Sequence, residues 1–160
     1  MKLKIDEIEI DEDIYPRINK WKKETVDSYA DALKAGAKFP PLEVQKVNKE
    51  NEIIIIVLDG VHRIKAHEKY NEDIEQQKKK KDKKLDEGYI YEPMETIDVE
   101  YWKDEVLDYE EYKLALILRS AFLNMKHGDR LTIDDKRRLA VVVTGSYLKN
   151  CEKKGEDENE

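Results

Sequence analysis

The chain opens on "KLKIDEIEID", where Leu3, Ile5, Ile8 and Ile10 come close to alternating with charged residues. A period near two with one interruption predicts a half-buried strand. The pattern breaks at "IYPRINKW", because Pro16 has no amide hydrogen to donate and biases Tyr15 toward an extended backbone. Val26, Tyr29, Ala30 and Leu33 then recur at helical spacing, and Gly36 supplies a stop, so a short amphipathic helix is predicted over residues 25–35. "FPPLEVQKV" and "NEIIIIVLDG" flank the polar link "NKEN" and read as a hairpin whose second strand is central and buried. The helix "VHRIKAHEKYN" follows, and the lysine run within residues 75–92 repels itself and reads as a solvated loop or helix extension. "ETIDVEYW" sets Ile97, Val99 and Tyr101 against charges as one more strand.

From Tyr109 to Lys126, the stripe Leu114, Leu118, Ala121, Phe122 and Met125, widened by Ile117, predicts a helix and names its buried face. After "HGDRLT", Thr132 with Asp134 and Asp135 reads as the N-cap region of a further helix. The closing "CEKKGEDENE" has nothing to pack and reads as a disordered acidic tail over residues 151–160. The order strand, helix, strand, strand, helix, strand, then two helices predicts an α+β domain over residues 1–104 and a helical appendix over 105–150.

Composition narrows this picture. At 160 residues the chain suits one domain with an ordinary core. A net charge of −7, with 42% charged residues, excludes coating nucleic acid by bulk electrostatics, so any DNA contact needs a local basic patch. Cys151 is the single cysteine, which leaves neither a disulfide framework nor a cysteine zinc site. No apolar run approaches the roughly 20 residues of a membrane span and the N-terminus lacks a signal-peptide core, so a soluble, cytoplasmic protein with no membrane partner is expected.

The chemistry concentrates in "LDGVHR" at residues 58–63. Gly60 removes the Cβ where a strand becomes a helix and lets a phosphate approach the backbone. His62 and Arg63 fall in the first helical turn, where the macrodipole disfavours cations by roughly 0.3–1 kcal/mol per charge. A phosphate held by the turn amides, an Arg63 fork and a His62 donor would relieve that conflict. The rival reading has Asp59 capping the helix and pairing with Arg63, and spacing leaves both open. Arg17, on a turn fixed by Pro16, either reaches the same ligand or lies on the surface. Asp59 is the best-placed candidate catalytic base or contact for a nucleotide-bound magnesium ion. His67 is five residues from His62, outside the zinc-pair spacing, and reads as an ordinary helix-surface histidine. Walker, Rossmann, nucleophile-elbow and kinase signatures are all missing.

"IYPR", "YADALKAGAKFPPLEV" and "IIIIVLDGVHRIKAH", in that order over residues 3–102, resemble the ParB/sulfiredoxin superfamily. The resemblance implies a small mixed sheet with flanking helices. It also implies a nucleoside triphosphate, CTP or ATP, bound with Mg2+ through Arg17, Gly60, His62 and Arg63. Val61 stands where sulfiredoxins carry their catalytic cysteine, which excludes that chemistry, and where ParB proteins carry an acidic residue of the CTP-hydrolysing turn. The Asp-Gly-x-His-Arg turn of free-serine kinases is nearer in sequence. "LNMKHGDRLTIDDKRRLAVVV" is similar to a segment that follows ParB-like domains in phage, plasmid and mobile-element proteins described as nucleases, where it opens a helix-turn-helix. That likeness implies a partial helix-turn-helix and a homodimer through the C-terminal helices; Lys136, Arg137 and Arg138 read either as DNA phosphate contacts or as a solvated basic helix start. A carboxylate cluster for nuclease chemistry is not evident. The expectation is a nucleotide-binding, DNA-associated or mobile-element accessory protein. The alternatives are a small-molecule kinase using Asp59 as base and a nucleotide-independent interaction module.

Overall fold

The computed structural model describes residues 1–17, 21–80, 92–126 and 131–157. In chain order its elements are β1 (Lys2–Lys4), a 3-10 turn (Ile5–Glu7), β2 (Ile8–Glu9), α1 (Lys23–Lys34), β3 (Leu42–Lys49), β4 (Glu52–Asp59), α2 (Val61–Lys80), β5 (Thr96–Tyr101), β6 (Leu107–Asp108), α3 (Tyr109–Lys126) and α4 (Ile133–Asp157). The predicted first strand is therefore two strands, split where the Glu7 carboxylate accepts the Lys4 amide at 3.2 Å and closes a tight turn. The split sends β1 antiparallel against β5 and β2 parallel against β4, on opposite sides of one mixed sheet. Its order is β1-β5-β3-β4-β2, with β6 also alongside β3, and α+β describes the result.

β3 and β4 form the predicted hairpin, and Glu50 and Asn51 turn it with φ of 54° and 68°. Two successive left-handed residues match the right-handed twist of the strands they join. Alternation along the hairpin then divides the core. Leu42, Val44 and Val57 pack with Val61 and Ile64 of α2 on one face. Val47, Ile56 and Leu58 pack with Leu116, Ile117 and Leu123 of α3 on the other. α1 lies against α2 through Ala30, Leu33, Ala66, Tyr70 and Ile74. Gln45, fully buried, fills the gap between β5 and β6 by donating to the Lys103 and Glu105 carbonyls at 3.3 and 2.8 Å and accepting the Lys103 amide at 2.9 Å.

The C-terminal helices depart from expectation. No break in packing falls at residue 104, since α3 supplies Tyr109, Leu116, Ile117 and Leu123 of the second core and Leu139, Val142 and Val143 of α4 pack against it. Of the predicted stripe on α3, only Ile117 and Ala121 are buried. Leu118, Phe122 and Met125 are exposed, whereas Leu116, Ile117, Ser120, Ala121, Leu123 and Asn124 are buried. α3 is apolar on more than one side, and two polar residues decide its rotation: Ser120 and Asn124 turn inward to reach the Leu58 carbonyl. α4 begins at the predicted cap, where Thr132 and Asp135 exchange side-chain-to-amide hydrogen bonds at 2.9 and 3.1 Å. It then continues through Asp157, so residues 151–157 are helical where disorder was predicted; the good helix formers Glu152, Lys153 and Lys154 extend a helix already nucleated upstream. The lysine run is a helix extension up to Lys80, and residues 81–91 of the expected insertion lie outside the described residues. Among the described residues no helix is long and apolar enough to cross a membrane.

Candidate functional site

The site begins with a defect in the hairpin ladder. Glu43 pairs with Asp59 but Val44 pairs with Val57, so Leu58 is an extra residue bulged out of the β3–β4 register. Its carbonyl, lost to the ladder, accepts the Ser120 hydroxyl at 2.7 Å and the Asn124 amide at 3.5 Å. α3 thus holds the end of β4 from behind, and the bulge aims Asp59 and Gly60 out of the sheet. Gly60 takes φ 111°, and a Cβ there would run into the Leu42 side chain and come within 2.9 Å of the Arg63 guanidinium. Only glycine fits this turn, and α2 starts at the next residue.

A cavity of about 560 Å³ opens over the turn, lined by Arg17, Asp59, Gly60, His62 and Arg63 among others. The candidate ligand residues Arg17, Gly60, His62 and Arg63 and the candidate base Asp59 all line it. Arg17 is 7% exposed, so it is not the surface arginine that spacing also allowed. Tyr15 beside it is buried; burial pushes its hydroxyl pKa up to about 12, with the neighbouring Arg17 charge working against the rise. His62 accepts the Lys22 amide on Nε2 at 3.0 Å, which places the ring proton on Nδ1 and ties the start of α1 to the turn. Acidic residues are missing from the first turn of α2.

Arg63 and Asp59 form the ion pair that the rival reading of the motif set out. The Arg63 Nη2 donates to Asp59 at 2.7 Å, as the rival reading required, while Nη1 donates to the Pro40 and Pro41 carbonyls at 2.5 and 2.8 Å. The guanidinium therefore clamps the turn to the start of β3, and at most two of its five N–H groups remain for a ligand. Its role shifts from phosphate fork toward holding the turn in shape, and the Asp59 carboxylate is engaged in the same clamp.

Sequence reasoning missed several wall residues. Glu43 lines the cavity in a bidentate pair with Arg119, at 2.6 and 2.8 Å, and the partner sits 76 residues away, beyond the reach of spacing arguments. Tyr29 and Phe39, read as helix packing and strand start, meet in a tilted pair, 4.9 Å between ring centres with their planes 36° apart, and give the cavity an aromatic wall. His67 corrects another expectation. It is 7% exposed, with Nδ1 at 2.8 Å from the Arg63 carbonyl, and burial pulls its pKa below the ordinary value. The helix face it shares with Arg63 is covered rather than solvated.

The three C-terminal cations do not form one patch. Lys136 and Arg137 are exposed, with Arg137 paired to Asp134 at 3.3 Å. Arg138 instead turns inward and donates to the Tyr15 and Glu12 carbonyls. Among the described residues there is no group of three or more His, Cys, Asp or Glu side chains suited to hold a metal ion. No protein-family model matches the chain, and no curated protein matches it.

Proposed function

We propose that the cavity binds a nucleoside triphosphate, in the manner of a ParB-like ligand-binding domain. The observation that carries this reading is the convergence of Arg17, Gly60 and His62 on one cavity at the N-terminus of a 20-residue helix. Such a terminus attracts anions through its amides and dipole. Its volume of about 560 Å³ lies in the range of nucleotide-sized sites, and the Tyr29–Phe39 wall supplies a surface for a planar base. Magnesium, with no protein cluster to hold it among the described residues, would arrive on the phosphates. Because Asp59 is committed to Arg63, the geometry supports binding over base-catalysed phosphate transfer.

DNA association belongs to this reading through exposed Lys136 and Arg137, and self-association through the exposed apolar stripe of α3. Calorimetry with CTP, ATP and inorganic triphosphate, each with magnesium, tests the site. Arg17→Ala is expected to weaken binding by about 1.5–3 kcal/mol, the scale of a charge-assisted hydrogen bond. Equal affinity in the variant, or no binding of any of the three by the wild-type chain, overturns the assignment.

A further inference from the structure

α4 reaches back across the molecule to the segment that delivers Tyr15 and Arg17. Arg138 donates from Nη1 to the Tyr15 carbonyl at 3.0 Å and from Nη2 to the Glu12 carbonyl at 2.6 Å. One guanidinium on two carbonyls fixes the orientation of the bend between them as well as its distance. The opposite side of the bend is fixed by Asp11. Its Oδ1 accepts the Asp13 and Ile14 amides at 2.9 and 3.2 Å, and its Oδ2 accepts Lys49 at 2.8 Å and the Tyr109 hydroxyl at 3.0 Å. Ile14 and Tyr15 then bury in the two different cores, on either side of the sheet. The chain between these anchors leads through Pro16 into Arg17 at the cavity wall. The hydrogen-bonded cap of Thr132 and Asp135 in turn fixes the first turns of α4, from which Arg138 projects.

We infer that Arg138 is a positioning residue for the cavity: its fork from α4 holds residues 12–15 so that Arg17 presents its charge to a bound anion. This rests on the reading of the cavity as an anion site. A segment released from the fork occupies the binding-competent arrangement only part of the time, and apparent affinity falls by that fraction. Sequence left Arg138 between a DNA phosphate and solvent; its contacts give it to the ligand site.

The test uses the full chain, inorganic triphosphate with magnesium as probe, and amide hydrogen exchange over residues 11–17. Arg138→Ala is expected to bind triphosphate at least tenfold more weakly and to exchange faster in that segment. Arg138→Lys, which keeps one donor, is expected to fall between. Leu139→Ala removes core packing from the same helix and controls for lost stability; it is expected to melt earlier yet bind as the wild type does. Wild-type affinity in Arg138→Ala, or an equal loss in Leu139→Ala, overturns the inference. Failure of the wild-type chain to bind triphosphate overturns the anion reading and, with it, the affinity half of the inference. Exchange then decides the clamp separately, and unchanged exchange in Arg138→Ala overturns that too.

Discussion

At position 60 a glycine is enforced twice, by backbone and by neighbour. Its φ of 111° lies where L residues are strained, and the space a Cβ would need is taken by Leu42 and Arg63. Gly60→Ala is therefore expected to cost about 3 kcal/mol, combining backbone strain with overpacking, and urea denaturation would read it as a lower midpoint. A midpoint within error of the wild type would mean that the turn relaxes freely. His67 makes a different kind of residue-scale statement. Its folded pKa is lowered, so the unfolded chain binds the proton more readily than the native one. Its stabilising effect is complete above the ordinary histidine pKa of 6.5 and is lost as pH falls through that value toward the lowered one. Thermal melts should show Tm dropping between pH 7.5 and pH 5.5, and dropping less in His67→Gln; parallel profiles would remove His67 as the cause. Asp11 acts further down the scale. Burial works to raise its pKa, but the hydrogen bonds from Lys49 and Tyr109 outweigh it and hold the carboxyl below 3.8, so its contribution fades only in more acid solution.

Among the elements, the β3–β4 bulge and α3 form one device, because the carbonyl displaced by the bulge is taken up by α3. Ser120→Ala leaves the buried Leu58 carbonyl with only the longer Asn124 contact, a change that should destabilise the fold by about 1–2 kcal/mol. The expected signature is a shifted denaturation midpoint with an unchanged slope, and no shift would show that water replaces the hydroxyl. This device also marks the limit of what the sequence discloses. The hairpin, α1, the start of α2, the full span of α3 and the cap of α4 are legible, because each follows from local spacing, turn chemistry or capping residues. The meeting of Arg17 with Gly60 and His62 was not fixed by spacing, which left Arg17 open between a ligand and the surface; only the resemblance placed the three together, and the shared cavity wall follows from tertiary packing. The rotation of α3 was not legible either, since its periodicity offers more than one apolar stripe and the choice lies with Ser120 and Asn124, which hydropathy sends to solvent. The Glu43–Arg119 pair, the Gln45 bridge and the Arg138 fork escaped for a related reason. Each joins residues remote in sequence through hydrogen bonds that leave no periodic trace.

Across the whole molecule, α2 backed by α1 covers one sheet face and α3 with α4 the other, which leaves one helical surface incompletely clothed. Leu118, Phe122 and Met125 lie at successive turns of α3 and are 48%, 57% and 65% exposed. Scattered exposed apolar residues are ordinary, but three on one helix face form a contiguous patch of the kind that marks an interface. With a net charge of −7, two copies repel at long range, so an apolar seam must supply the attraction and the association should strengthen as salt screens that repulsion. We expect the chain to sediment at micromolar concentration as a species heavier than the 18.9 kDa monomer. Phe122→Glu should return it to the monomer without loss of Tm, because the side chain is not part of the folded core. A wild-type chain that stays monomeric at high salt and high concentration rules the seam out. If the seam forms, it lies on the opposite side of α3 from Ser120 and Asn124, the residues that hold the Leu58 carbonyl at the end of β4. Ligand binding and dimer formation would then load the same helix from its two faces, and comparing triphosphate affinity in the wild type and in Phe122→Glu would measure the coupling between them directly.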